Sequence, residues 1–60
     1  MDQDQLLNSL TLEWQTANQV AVLINQPYPR TKMVLDKMVA ERQIDFQQRG
    51  NRKYYRRLNL

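Results

Sequence analysis

The sequence predicts an α+β, mostly helical fold in one domain spanning 1–60: three helices followed by a two-stranded antiparallel hairpin. Three observations predict it. Apolar residues recur at the spacing of an α-helix through most of the chain, interrupted by a proline-marked corner at Pro27-Tyr28-Pro29. The periodicity then drops to two at Ile44-Asp45-Phe46-Gln47. Between that run and Tyr54-Tyr55 sits Gly50-Asn51, a dipeptide that supplies the positive φ of a two-residue hairpin turn.

The first helix is expected over about 4–13. Asp2 and Asp4 lie where a helix N-terminus favours anions, and Leu6, Leu7, Leu10 and Trp14 follow at helical spacing. Leu6, Leu7, Leu10 and Leu12 exceed what one face can bury, which makes this helix the expected contact between subunits. Trp14 is expected to plug the core, because the chain has few large apolar side chains. Trp14-Gln15 then straightens into a short link.

The second helix is expected over about 17–25, with Ala17, Val20, Ala21 and Ile24 at i, i+3, i+4 and i+7. Thr16 opens it, and Gln19 three residues on completes a capping box. Pro27 ends it by pushing Gln26 out of the helical region. The third helix is expected over about 29–42, with Pro29 at its first position, where a missing N–H costs nothing. Thr31, Val34, Leu35 and Met38 share one side, and Arg30, Lys32, Met33, Asp36 and Lys37 lie largely on the other. A corner between two short helices, the second studded with cations, is the sequence form of a helix-turn-helix.

The hairpin is expected over about 44–58. Counting outward from Gly50-Asn51 sets Arg49 opposite Arg52, Gln48 opposite Lys53, Gln47 opposite Tyr54, Phe46 opposite Tyr55, Asp45 opposite Arg56, and Ile44 opposite Arg57. Phe46 and Tyr55 then share the inner face with Ile44, and Asp45 and Arg56 pair on the outer one. Arg49, Arg52 and Lys53 crowd the tip, where opposed like charges are destabilising unless an anion lies between them.

Charge is distributed unevenly. Residues 1–29 contain no Lys or Arg against Asp2, Asp4 and Glu13, a net −3, whereas residues 30–60 carry nine cations against Asp36, Glu41 and Asp45, a net +6. One surface is therefore suited to a polyanion, nucleic acid being the commonest. A chain of 60 residues is marginal in stability, and with no Cys or His it has neither a disulfide nor an ordinary zinc staple. No apolar run approaches membrane-spanning length and Met1-Asp2-Gln3-Asp4 lacks the cationic start of a signal peptide, so a cytoplasmic location is expected. With six scattered carboxylates and no phosphate-binding glycine loop, no catalysis, cofactor or small-molecule ligand is expected.

The whole order resembles the winged helix-turn-helix. Thr16-Ala17-x-x-Val20-Ala21-x-x-Ile24-Asn25 resembles that family's second helix and turn. Leu35, Met38 and Ile44 fall where it keeps core positions, and Gly50-Asn51-Arg52-Lys53-Tyr54-Tyr55 resembles its wing turn and return strand. The resemblance covers about Leu6 to Leu58, and the small size is similar to minimal bacterial, plasmid or phage transcription regulators. Two departures stand out. The glycine usual after the recognition helix is replaced around Arg42-Gln43, and the Pro-Tyr-Pro corner lacks the usual Ser or Thr cap.

The resemblance implies sequence-specific binding of double-stranded DNA, with the third helix in the major groove and the wing on the backbone or minor groove. The implied groove-facing residues are Tyr28, Arg30, Thr31, Lys32, Met33, Asp36 and Lys37. Arg30 would read a guanine, Lys32 and Lys37 would meet phosphate, and Met33 a thymine methyl. Thr31 fits better the core position that the family fills with Val or Thr, and Asp36 fits an ion pair with Arg30 or Lys32 along the helix. Arg49, Asn51, Arg52 and Lys53 would form the wing contact. A homodimer or a second DNA-binding protein would enlarge the small footprint. The fold also serves as a protein-docking adaptor, in which case Tyr28 and Met33 would anchor an acidic partner.

Overall fold

The computed structural model describes residues 3–58, so Asp2 lies outside the described residues. The order is α1 (Gln3–Ser9), α2 (Ala17–Ile24), α3 (Tyr28–Ala40), β1 (Ile44–Arg49) and β2 (Arg52–Arg57), a winged-helix arrangement. Among the described residues no helix is long and apolar enough to cross a membrane.

α1 is shorter than the apolar spacing predicts, because side chains take over the backbone partners that would extend it. Ser9 Oγ donates to the Leu6 carbonyl at 2.7 Å, the Leu10 N–H reaches back only to Leu7, and the Glu13 N–H turns to Thr11 Oγ1 at 3.1 Å. Leu6 and Leu10 are fully committed to the core and Leu7 packs against it. Leu7 is half-buried and Leu12, beyond the helix, is exposed.

α2 begins as expected. Thr16 Oγ1 accepts the Gln19 N–H at 3.2 Å and Gln19 Oε1 accepts the Thr16 N–H at 2.9 Å, a complete capping box. Asn25 closes the helix in the left-handed region at φ 55°, a conformation asparagine tolerates. Its N–H and that of Gln26 reach the Val22 and Ala21 carbonyls. α3 starts one residue earlier than expected, at Tyr28, with Pro27 as its cap and Pro29 in its second position. No side chain caps the helix; instead Thr31 Oγ1 and the Thr31 N–H both donate to the Pro27 carbonyl, at 2.9 and 3.0 Å, which fixes the first turn against the corner.

The missing glycine after α3 is answered by Arg42 itself. It adopts φ 60°, its N–H meets the Val39 carbonyl at 3.0 Å, and the Gln43 N–H meets Met38 at 2.9 Å. This is the geometry that usually recruits glycine. An L-residue there costs about 1–2 kcal/mol, part of which a glycine would return as extra freedom in the unfolded chain. Arg42→Gly is therefore expected to raise the unfolding free energy by up to about 1 kcal/mol, read as a higher urea midpoint at unchanged slope.

The hairpin adopts all six predicted pairs, from Ile44 opposite Arg57 to Arg49 opposite Arg52. Gly50 has φ 60° and Asn51 does not share a positive φ, the pattern of a turn with glycine in its first central position. Tyr55 turns its N–H and carbonyl outward to Gln15, at 2.7 and 2.9 Å, and the Arg57 N–H meets the Thr11 carbonyl at 2.8 Å. The link before α2 is thus sewn to the far edge of β2. With its backbone groups so used, Tyr55 faces Phe46 as a close pair, their rings 5.6 Å apart and tilted by 45°.

The core lies where these elements meet. Ala17, Val20 and Ile24 of α2 pack with Leu35 and Met38 of α3, closed above by Leu6 and Leu10 and below by Ile44 and Tyr55. Trp14 is not among these core residues, contrary to expectation. Its half-buried ring lies under the Arg56 guanidinium, 4.2 Å from ring centre to Cζ, and Arg56 also donates to Asp45 at 3.0 Å. The tryptophan is held on the outer face because Arg56 supplies a cation for its ring there.

Candidate nucleic-acid interface

α3 divides its residues between two environments. Thr31, Leu35 and Met38 face inward, and their helical spacing leaves Tyr28, Arg30, Met33 and Lys37 exposed. Thr31 is wholly buried and bonded to Pro27, so the implied contact with DNA does not apply to it, and the core position does. Met33 is 64% exposed and Tyr28 45%, so both present apolar surface on the outer side of the helix.

Lys32 and Asp36 are occupied with each other. Lys32 Nζ lies 2.8 Å from Asp36 Oδ2, the i,i+4 pairing that the sequence allowed. The other oxygen, Oδ1, accepts the Tyr55 hydroxyl at 2.7 Å, across 19 residues of sequence. Asp36 therefore joins the exposed side of α3 to the buried ring of β2. Partial burial alone would raise the Asp36 carboxyl, but the hydrogen bonds from Lys32 and Tyr55, with the charges of Lys32 and Lys53, hold it below the usual carboxylate range. The same pairing raises the Lys32 ammonium, by hydrogen bond first and charge second.

Tyr55 is pushed above its ordinary 10.0, first by burial and then by its bond to a carboxylate that disfavours a second negative charge. A group with a raised folded pKa stabilises the fold fully below its unfolded value and less as pH climbs past it. Unfolding free energy is accordingly expected to fall above pH 10, by up to about 1.4 kcal/mol per pH unit for this one proton. Urea titrations at pH 8, 10 and 11 check this, with Tyr55→Phe expected to flatten the alkaline slope. For Asp36 the sign is opposite: its contribution is present above the ordinary 3.8 and is lost as pH falls below it.

α3, the wing and the N-terminus of α2 converge on a concavity of about 340 Å³. Thr16, Ala17 and Asn18 line it from α2, Tyr28 and Lys32 from α3, and Asn51, Arg52, Lys53 and Tyr55 from the hairpin. Of the residues predicted for the site, Tyr28, Lys32, Asn51, Arg52 and Lys53 are therefore brought together. Arg30, Met33, Lys37 and Arg49 are exposed but do not line this hollow. Arg49 and Arg52 stand directly opposite at the tip, both exposed.

Two features had no counterpart in the sequence reading. The Tyr55–Asp36 bond depends on the hairpin folding back onto α3, which residue spacing does not encode. Val22 and Leu23, 73% and 60% exposed, put adjacent aliphatic side chains on the outside of α2 beside Trp14. Helical spacing did give a signal there, since neither falls on the Ala17, Val20, Ala21, Ile24 stripe. Among the described residues no cluster of His, Cys, Asp or Glu has the makings of a metal site.

No family model matches the sequence, and no curated protein matches it. Among solved structures the chain is similar to the crystal structure of human N-acetylserotonin methyltransferase in complex with SAM, with a TM-score of 0.79 over 93% of this chain at 20% identity. The match covers 17% of that enzyme's chain, and at this identity it shows the fold alone.

Proposed function

We propose that the chain binds double-stranded DNA sequence-specifically, as a small transcription regulator of the winged helix-turn-helix family acting in the cytoplasm of a bacterium or on behalf of a plasmid or phage. α3 enters the major groove and the wing tip follows the backbone or minor groove. The observation that carries this reading is the exposure of Arg30, Met33 and Lys37 on α3 together with the cationic wing residues gathered around one concavity. Arg30 has no acidic partner within ion-pair distance among the described residues, so its fork is available for guanine O6 and N7. Lys37 serves phosphate. Lys32, already paired, contributes only through the seam it shares with Asp36.

The chain acts by binding and not by catalysis. Asp36 and Asp45 are already bonded to Lys32, Tyr55 and Arg56, which leaves neither poised as a general acid or base. One module of this size has a small footprint, so specificity calls for two copies on a two-fold site or for a second DNA-binding protein. A gel shift with mixed-sequence duplex at low salt, repeated along a salt series, is the test. Retention whose log affinity falls linearly with log salt is expected, and no retention at low salt would remove the proposal.

A second reading is favoured by the exposure of Tyr28 and Met33 and by the likeness to a sixth of a larger enzyme chain. In it the module docks on an acidic protein surface, with these two side chains as anchors. The same gel shift separates the two, since an adaptor has no need to retain duplex.

A further inference from the structure

Resting on the DNA-binding reading, we infer that Asp36 is a specificity-determining residue: a carboxylate set among the interface cations that suppresses indiscriminate phosphate binding. Its position supports this. One oxygen is held by Lys32 and the other by Tyr55, both of which line the concavity between α3, α2 and the wing, and the Lys53 charge also reaches it. Its side chain is nevertheless 44% exposed, so its charge is felt by whatever occupies the seam.

Bonding the Tyr55 hydroxyl requires an acceptor but no charge; an amide oxygen would serve. The charge has two other effects. It ties up Lys32, removing one free cation from the count that sets sequence-independent affinity. It also places a negative group near the path of a backbone that touches both helix and wing, which repels phosphate wherever favourable base contacts do not offset it. Specificity is a difference between affinities, and a repulsive element aimed at the competitor widens it. Arg30 and Met33, reading base edges, supply the offset only on a matching site.

The test compares wild type, Asp36→Asn, Lys32→Gln and the double variant on mixed-sequence duplex, after melting curves establish that each is folded. Asparagine keeps an acceptor for Tyr55. Asp36→Asn is expected to bind mixed sequence several-fold more tightly, with a salt slope steeper by about 0.9, the contribution of one freed cation. In selection from random DNA it is expected to recover a more degenerate motif than wild type does. Lys32→Gln, which leaves the carboxylate bare, is expected to bind mixed sequence more weakly, and the double variant to return to the wild-type level. Asp36→Asn binding no tighter, a motif as sharp as wild type's, or a double variant no tighter than Lys32→Gln would each overturn the inference. If wild type retains no duplex at all, the DNA-binding reading itself falls and takes this inference with it; if wild type binds and only the variants misbehave, the reading stands and the role of Asp36 falls.

Discussion

Leu35→Ala is expected to leave the chain largely unfolded at moderate temperature. Leu35 is fully buried at the centre of α3, among the packed side chains of α2 and the hairpin. Cutting it back removes transfer free energy and leaves a cavity, together costing about 2–5 kcal/mol. A domain of this length has roughly 3–9 kcal/mol to lose, with no disulfide to reinforce it. Circular dichroism is expected to show the thermal midpoint lower by roughly 8–40 °C, at about 4–8 °C per kcal/mol in a chain this small. Met33→Ala, on the exposed side of the same helix, is the control and is expected to stay within about 0.5 kcal/mol of wild type. Equal effects of the two substitutions would mean that α3 does not present the faces described.

Arg49 and Arg52 replaced together by Gln are expected to change stability and DNA affinity in opposite directions. The two arginines occupy directly opposed positions at the hairpin tip with no acidic partner within ion-pair distance among the described residues, and opposed like charges are destabilising. Removing both relieves the repulsion, so the melting temperature is expected to hold or rise slightly. Two phosphate contacts disappear at the same time, and the slope of log affinity against log salt becomes shallower by about 1.8. Between 50 and 200 mM salt, the affinity lost by the variant is then about tenfold smaller than that lost by wild type. Because a misfolded variant would lose both properties, the opposite signs isolate the contact itself. An unchanged salt slope would place the wing tip away from the backbone.

Much of this molecule is legible in its residues because the signals are local. The capping box at Thr16 and Gln19 needs only three residues, and Gly50-Asn51 fixes a register that all six strand pairs obey. The α3 stripe follows from spacing alone. The first helix is shorter than its spacing predicts because apolar periodicity through Leu10 says nothing about Ser9 and Thr11 drawing off backbone partners. Arg42 in a left-handed conformation was not legible, since propensity argues against it and only the packing of Met38 before it and Ile44 after it imposes the bend. At the interface, the Lys32–Asp36 pair could be read from i,i+4 spacing, whereas the third member, Tyr55, could not. The place of Trp14 is illegible for a related reason: its partner Arg56 lies on β2, more than forty residues away in sequence.

The bond pair between Gln15 and Tyr55, with Thr11 and Arg57 beside it, joins the loop between α1 and α2 to β2. The helices precede β2 in the chain, but the buried tyrosine ring and the loop's backbone partners come only from that strand. Closure between that loop and β2 is therefore a long-range step that helix formation alone cannot replace, and interrupting the chain ahead of Tyr55 would leave the loop and the hairpin unpaired together.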